Sequence, residues 1–286
     1  MLKFFAHCIA YLPFWLLYRL SDLLAWFARK LYRRKLVSRN LRACFPGYTI
    51  AQLQSVRRAF YQNLTDVSLE VFKSLRMDRQ AFEQRVKIVR NDAFEEIKSR
   101  QRPFLLYASH QCNWEWLGLA VAVQLAPLDS VYKTIKKESV NELMKQLRSR
   151  FGTRLVSNKE AARALRAQEG FRGAGLIADQ TPTRRNKGKV WAPFLGQDTA
   201  FYKGIFALPY LTQQTAYYIH MTRKDRGVYE AEIVKLADPP HSKNDYSLLD
   251  KYIRNSASAI QTHPANWLWS HNRWKYARGE GEELVL

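Results

Sequence analysis

A chain of 286 residues with 46 Lys and Arg against 25 Asp and Glu carries a formal charge of +21, while 47% of its residues are hydrophobic and 13% aromatic. That apolar content excludes a disordered polycation, and the excess charge calls for an anionic partner: nucleic acid, an anionic membrane face or an acidic carrier protein. The three cysteines, Cys8, Cys44 and Cys112, lack CxxC or Cys/His metal spacing, which argues against a disulfide framework or a zinc site and for a reducing compartment.

Met1 to Ala28 is apolar and aromatic but interrupted by His7, Pro13, Arg19 and Asp22. Its longest uncharged piece, Phe4 to Tyr18, is shorter than the roughly 20 residues a spanning helix needs. No small-residue cleavage site ends the run before Arg29-Lys30. The segment predicts a membrane-associated helix, either an imperfect, tilted span or a helix lying in the interface; the competing reading is an amphipathic helix packed on the protein's own core. The block Arg29, Lys30, Arg33, Arg34, Lys35 marks the cytoplasmic side and binds anionic headgroups on this reading. Residues 1–35 are therefore expected to form an anchor with its basic flank, followed by one domain over residues 36–286.

Pro46 and Gly47 end a helix. Thr49 begins another, with Leu53, Val56, Phe60, Leu64, Val67 and Val71 at helical steps toward the core, and with Arg57 and Arg58 on a solvated face. Arg85 to Val89 alternates as a half-buried strand does. After Pro103, the short apolar run Phe104 to Ala108 predicts a strand buried on both faces of a parallel sheet. His110 then sits just past its carboxyl end, the edge at which open α/β sheets bind ligands. Trp114 to Leu125 predicts a helix capped by Asn113 or Ser109, placing Glu115 in its first turn, within reach of the His110 loop. A neutral imidazole held by a carboxylate at one nitrogen presents the other as a general base. The same two residues also read as a loop histidine and a carboxylate favoured by the helix dipole.

Ser130 to Lys133, Thr153 to Val156 and Gly173 to Ala178 read as further strands, with helices over Glu138 to Phe151 and Lys159 to Gln168 between them. The alternation predicts an α/β fold with a mixed, largely parallel sheet flanked by helices, and Thr215 to Met221 and Tyr229 to Val234 are expected to add strands at its edge. The third of those runs ends at Asp179-Gln180. Arg184 to Lys189 is a basic, glycine-containing loop, read as a cover to the cleft or as a solvated charge run.

His110-x4-Glu115 resembles the His-x4-Asp/Glu acyltransferase signature, and its glutamate form resembles the bacterial lipid A biosynthesis (lauroyl/myristoyl) acyltransferase family. Other segments resemble that family in the same order: Arg39 to Pro46, Tyr132-Lys133, Arg150-Phe151-Gly152, Asp179-Gln180, Trp191 to Gly196, and the tryptophan-rich ending His263 to Tyr276. Lys133 departs from the usual arginine, keeping the charge but losing bidentate phosphate binding. The resemblance implies a glycerolipid-acyltransferase-like fold and a membrane-associated enzyme on the cytoplasmic side of the bacterial inner membrane. It implies transfer of a fatty acyl group from an acyl thioester, acyl carrier protein or coenzyme A, to a hydroxyl of a lipid A precursor. His110 is then the base, Glu115 its partner, and Lys133, Arg150, Asp179, Gln180, Arg184 and Arg185 substrate-binding residues. Phe194 and Leu195 line an acyl channel or belong to the core, and the terminal tryptophans meet the membrane interface or pack on the sheet. Neither a metal nor a redox cofactor is expected. Cys112, between the two motif residues, raises an acyl-enzyme alternative that the motif does not require. The competing acceptors are a lysophospholipid, glycolipid or aminolipid; a basic membrane-tethered binding protein is the non-enzymatic alternative, and no nucleic-acid-binding motif supports it.

Overall fold

The computed structural model describes residues 2–183 and 188–286. Helices α1 (Leu2–Tyr11), α2 (Phe14–Leu31), α3 (Arg34–Cys44) and α4 (Ile50–Lys73) come first, and α5 (Arg79–Arg85) leads into β1 (Val86–Ile88). Then follow α6 (Asp92–Arg100), β2 (Phe104–Ala108), α7 (Trp114–Gln124), β3 (Leu128–Tyr132), α8 (Glu138–Arg148), β4 (Arg154–Ser157), α9 (Ala161–Arg166) and β5 (Gly173–Ile177). A hairpin of β6 (Lys189–Phe194) and β7 (Gln197–Tyr202), helix α10 (Gly204–Thr212), β8 (Thr215–Asp225), β9 (Val228–Ala237) and α11 (Ser247–Thr262) complete the elements that position the site.

The main sheet has seven strands in the order β1-β9-β8-β2-β5-β3-β4, parallel at every pairing except β8 with β9. The strands over residues 215–237 are therefore not additions to the edge: β8 pairs directly with β2, and β1 and β4 hold the two edges. β2 is buried along its whole length. Leu105 and Tyr107 face a core shared with α11 and the β6–β7 hairpin, while Phe104, Leu106 and Ala108 face one shared with α5, α6 and α7. This two-sided burial is what its continuous apolar run requires. Gly173 answers a close approach: a Cβ there would lie 2.6 Å from the Phe104 ring.

Thr49 starts α4 with a capping box to Gln52. Asp66 and Glu70, one helical turn apart on α4, are fully buried. Asp66 accepts from Ser21 of α2 (2.6 Å) and pairs with Arg223 and Arg226 at the β8–β9 turn (both 2.6 Å). Glu70 accepts from Tyr18 (3.0 Å), Tyr229 (2.7 Å) and Asn113 (2.9 Å). Burial drives the Glu70 carboxyl's pKa up against the hydrogen bonds from Tyr229 and Asn113. α2 buries Leu17, Ser21 and Ala25, four residues apart, and leaves Trp15, Leu16, Leu23, Trp26 and Phe27 exposed on the rest of its surface. No helix among the described residues is long and apolar enough to cross a membrane.

Candidate active site

His110 lies two residues beyond the end of β2, and Asp179 two residues beyond the end of β5. The parallel register sets Ala108 beside Ile177, so the two residues emerge level at the same edge of the sheet. His110 Nδ1 is 2.5 Å from Asp179 Oδ1. The other carboxylate oxygen accepts the His110 backbone N–H (2.9 Å) and the Trp267 indole N–H (2.7 Å). Burial alone would raise the Asp179 pKa, but the His110 imidazole and these donors outweigh it and hold the carboxyl at about 2. An ionised Asp179 has only acceptors to offer, so the imidazole carries a proton on Nδ1, and a neutral ring so held has its lone pair on Nε2. Gln180 Nε2 lies 3.1 Å from that nitrogen and donates to it.

The structure corrects the pairing expected within the motif. Glu115 is in the first turn of α7, as its spacing predicts, yet its carboxylate is taken by Arg148 at 2.5 and 2.7 Å and by the Trp114 indole N–H at 3.2 Å. No hydrogen bond joins it to His110 among the described residues. The Arg148 guanidinium is largely buried; that burial would lower its pKa, and the fork onto Glu115 more than compensates. Asn113 caps α7 by accepting from Trp116 N–H (3.0 Å), and its own amide donates to Glu70, so α4 fixes the start of the helix after His110.

A cavity of about 420 Å³ opens at the carboxyl ends of β2, β5 and β3. His110, Glu115, Arg148, Lys133 and Gln180 line it together with Leu106, Leu117, Leu119, Val121, Leu128, Leu176 and Ile219. Of the residues singled out from sequence, His110, Glu115, Lys133 and Gln180 therefore share one cavity, and Asp179 sits behind the histidine. Arg150 does not line it: its guanidinium donates to the Met77 carbonyl (2.6 Å), because the chain turns sharply at Phe151 (φ 59°) after α8. Arg148, two residues earlier, is the arginine that sequence reasoning passed over. Arg184 and Arg185 lie outside the described residues. Phe194 and Leu195 belong to the core, the first packed on Phe201 and Trp267 and the second in the hairpin turn. Of the C-terminal tryptophans, Trp267 and Trp269 are buried and Trp274 is half-buried against the same core, and Trp267 carries one of the donors that fix Asp179.

The backbone N–H groups of His110, Gln111 and Cys112 are all used inside the protein, by Asp179, Ser109 and Asn266. Negative charge developing beside His110 would therefore meet the side-chain donors Arg148, Lys133 and Gln180 rather than these three amides. Cys112 is buried, its thiol donates to the Met221 carbonyl (3.1 Å), and burial pushes its pKa up to about 12. A thiol so placed is no nucleophile. Cys112→Ser is expected to retain transfer within about threefold of the parent; an acyl group trapped on Cys112 in a single turnover would reverse that assignment.

A model of bacterial lipid A biosynthesis acyltransferase matches residues 2–276, nearly the whole chain. The chain belongs to that family. No curated protein matches it. Membership in the lipid A biosynthesis acyltransferases identifies the protein as an acyltransferase.

Proposed function

We propose that this lipid A acyltransferase moves a fatty acyl group from an acyl thioester, carried by acyl carrier protein, to a hydroxyl of a phosphorylated lipid A precursor at the cytoplasmic face of the inner membrane. The carrying observation is the His110–Asp179 pair opening onto a cavity that is apolar inside and cationic at Arg148 and Lys133. The acceptor hydroxyl displaces the Gln180 amide from His110 Nε2 and gives up its proton there as its oxygen attacks the thioester carbonyl. Asp179 keeps the tautomer and stabilises the imidazolium. The tetrahedral intermediate collapses with loss of the carrier thiolate, which takes the proton back from His110. The acyl chain lies along the leucines and Val121, and the exposed apolar face of α2 rests in the membrane interface.

Arg148, oriented by Glu115, supplies positive charge to the oxyanion. Arg148→Ala is expected to lower the turnover number by about a hundredfold, and Glu115→Gln to be milder, since it keeps the shape but loosens the fork. Arg148→Lys should not restore the rate, because an ammonium lacks the two-point geometry. Steady-state rates against both substrates check this; a change confined to acceptor KM would instead make Arg148 a headgroup ligand.

The decisive test offers the purified protein acyl carrier protein and coenzyme A thioesters with either a lipid A precursor or a lysophospholipid, and compares lipids of a strain lacking the gene by mass spectrometry. Acylation of the phosphorylated precursor is expected. Transfer only to a lysophospholipid or an aminolipid would overturn the acceptor assignment.

A further inference from the structure

We propose that a cleft at the α2–α3 corner, separate from the catalytic cavity, is a binding site for the phosphate headgroup of an anionic membrane lipid. It is about 220 Å³ and is lined by Arg29, Lys30, Arg34, Gln54, Arg57 and Arg58. It shares no lining residue with the cavity at His110.

Five cations converge there, and none makes an ion pair with a carboxylate among the described residues, whereas the half-buried Arg148, Arg172, Arg223 and Arg226 each find one. Helix electrostatics explains only part of the cluster. Arg29 and Lys30 lie in the last turn of α2, where the helix dipole favours a cation. Arg34 opens α3, where the dipole opposes it, and Arg57 and Arg58 lie inside α4, where it does nothing. Burial and the neighbouring Arg34, Arg42 and Arg29 push the Arg57 pKa down, so the cluster is electrostatically unfavourable as it stands. Arg57 is held by one hydrogen bond to Ser38 (2.8 Å), and its Nε is buried without a partner. An anion with several acceptor oxygens resolves all of this, and phosphate is the group that arginine and lysine together fit.

The source is a lipid rather than an acidic protein for two reasons. The cleft is small and concave, suited to a headgroup and not to the convex face of a carrier helix. It also borders exposed apolar surface: Leu23, Trp26, Phe27 and Leu31 of α2 are 55, 45, 45 and 80% exposed, and Lys30 Nζ sits 3.5 Å from the Trp26 ring centroid, joining that surface to the cleft. With the apolar residues in the interface, the cations meet the headgroup layer. The inference rests on the membrane reading of α2 and adds to it a discrete site, built in part by α4.

The test uses the full chain and sedimentation with vesicles of phosphatidylcholine alone or mixed with phosphatidylglycerol. Lys30→Gln/Arg58→Gln, both exposed, and Arg57→Gln/Arg58→Gln are each expected to lose on the order of thirtyfold in partition to the anionic vesicles. Arg166→Gln/Lys243→Gln removes the same charge elsewhere on the surface and should stay within about twofold. Equal losses in the cleft and control pairs would reduce the site to diffuse attraction, and unchanged partition in the cleft pairs would remove it. Loss of affinity for acyl carrier protein with vesicle binding intact would reassign the cleft to the donor and overturn the proposal. Failure of the parent protein to bind either vesicle would instead overturn the membrane reading beneath it.

Discussion

His110→Ala and Asp179→Asn are each expected to lower acyl transfer by about three to four orders of magnitude, and the double variant is expected to be no worse than His110→Ala alone. The asparagine effect follows from the donor count around Asp179. One carboxylate oxygen serves the His110 backbone N–H and the Trp267 indole, and the other serves His110 Nδ1. An amide has a single oxygen, and two donors claim it on the first side. Its NH2 then faces Nδ1, which must become an acceptor, so the proton moves to Nε2 and the lone pair aimed at the cavity is lost. Geometry survives and the base does not. Initial rates on variants whose circular dichroism matches the parent check the result; a loss below tenfold in Asp179→Asn would take Asp179 out of the mechanism. Because the motif alone suggests Glu115 as the partner, Glu115→Gln is the informative comparison, and it should lose far less.

The placement of His110 was legible because a short apolar run after Pro103 has one plausible state, and a residue just past a parallel strand's carboxyl end lies where sheets bind ligands. Its partner was legible only in half. Asp179 ends the run Gly173 to Ala178 as His110 ends Phe104 to Ala108, each two residues beyond the strand, but only the pairing of β2 with β5 makes those ends neighbours. Spacing along the chain sees the local carboxylate, Glu115, and not the one 69 residues away. The same blindness sent β8 and β9 to the sheet edge, since long connections leave strand order unstated. It also favoured Arg150 over Arg148: the distinction depends on the turn at Phe151, which no periodicity marks. Tryptophan content at the C-terminus suggested an interface as readily as a core, and burial decided for Trp267 and Trp269. The helix over α4 was the easiest to read, with its Thr49 cap and its apolar steps, although the pattern of apolar residues concealed that Asp66 and Glu70 are buried with them.

Asp66→Ala is expected to destabilise the fold by about 3–5 kcal/mol, lowering the melting temperature by roughly 10 °C. The carboxylate is fully buried and joins three parts of the chain: Ser21 of α2, α4 itself, and Arg223 and Arg226 at the β8–β9 turn. Removing it leaves two guanidinium groups desolvated with weaker partners, Asn63 for Arg223 and Asp22 for Arg226. Lys224→Ala removes a cation from the same turn but breaks only the surface pair with Glu230, and should cost no more than about 1 kcal/mol. Melting curves of the two variants therefore separate a buried clamp from ordinary surface charge, and equal shifts would show that Asp66 holds nothing. The consequence reaches the site, because Glu70, the next turn of α4, accepts from both Tyr18 of α2 and Asn113 at the start of the helix that follows His110. Loosening α2 thus loosens the residue that caps α7. Asp66→Ala should lose activity in step with its folded fraction as temperature rises, whereas Asp179→Asn should be inactive while fully folded, and that difference separates the two carboxylates' roles.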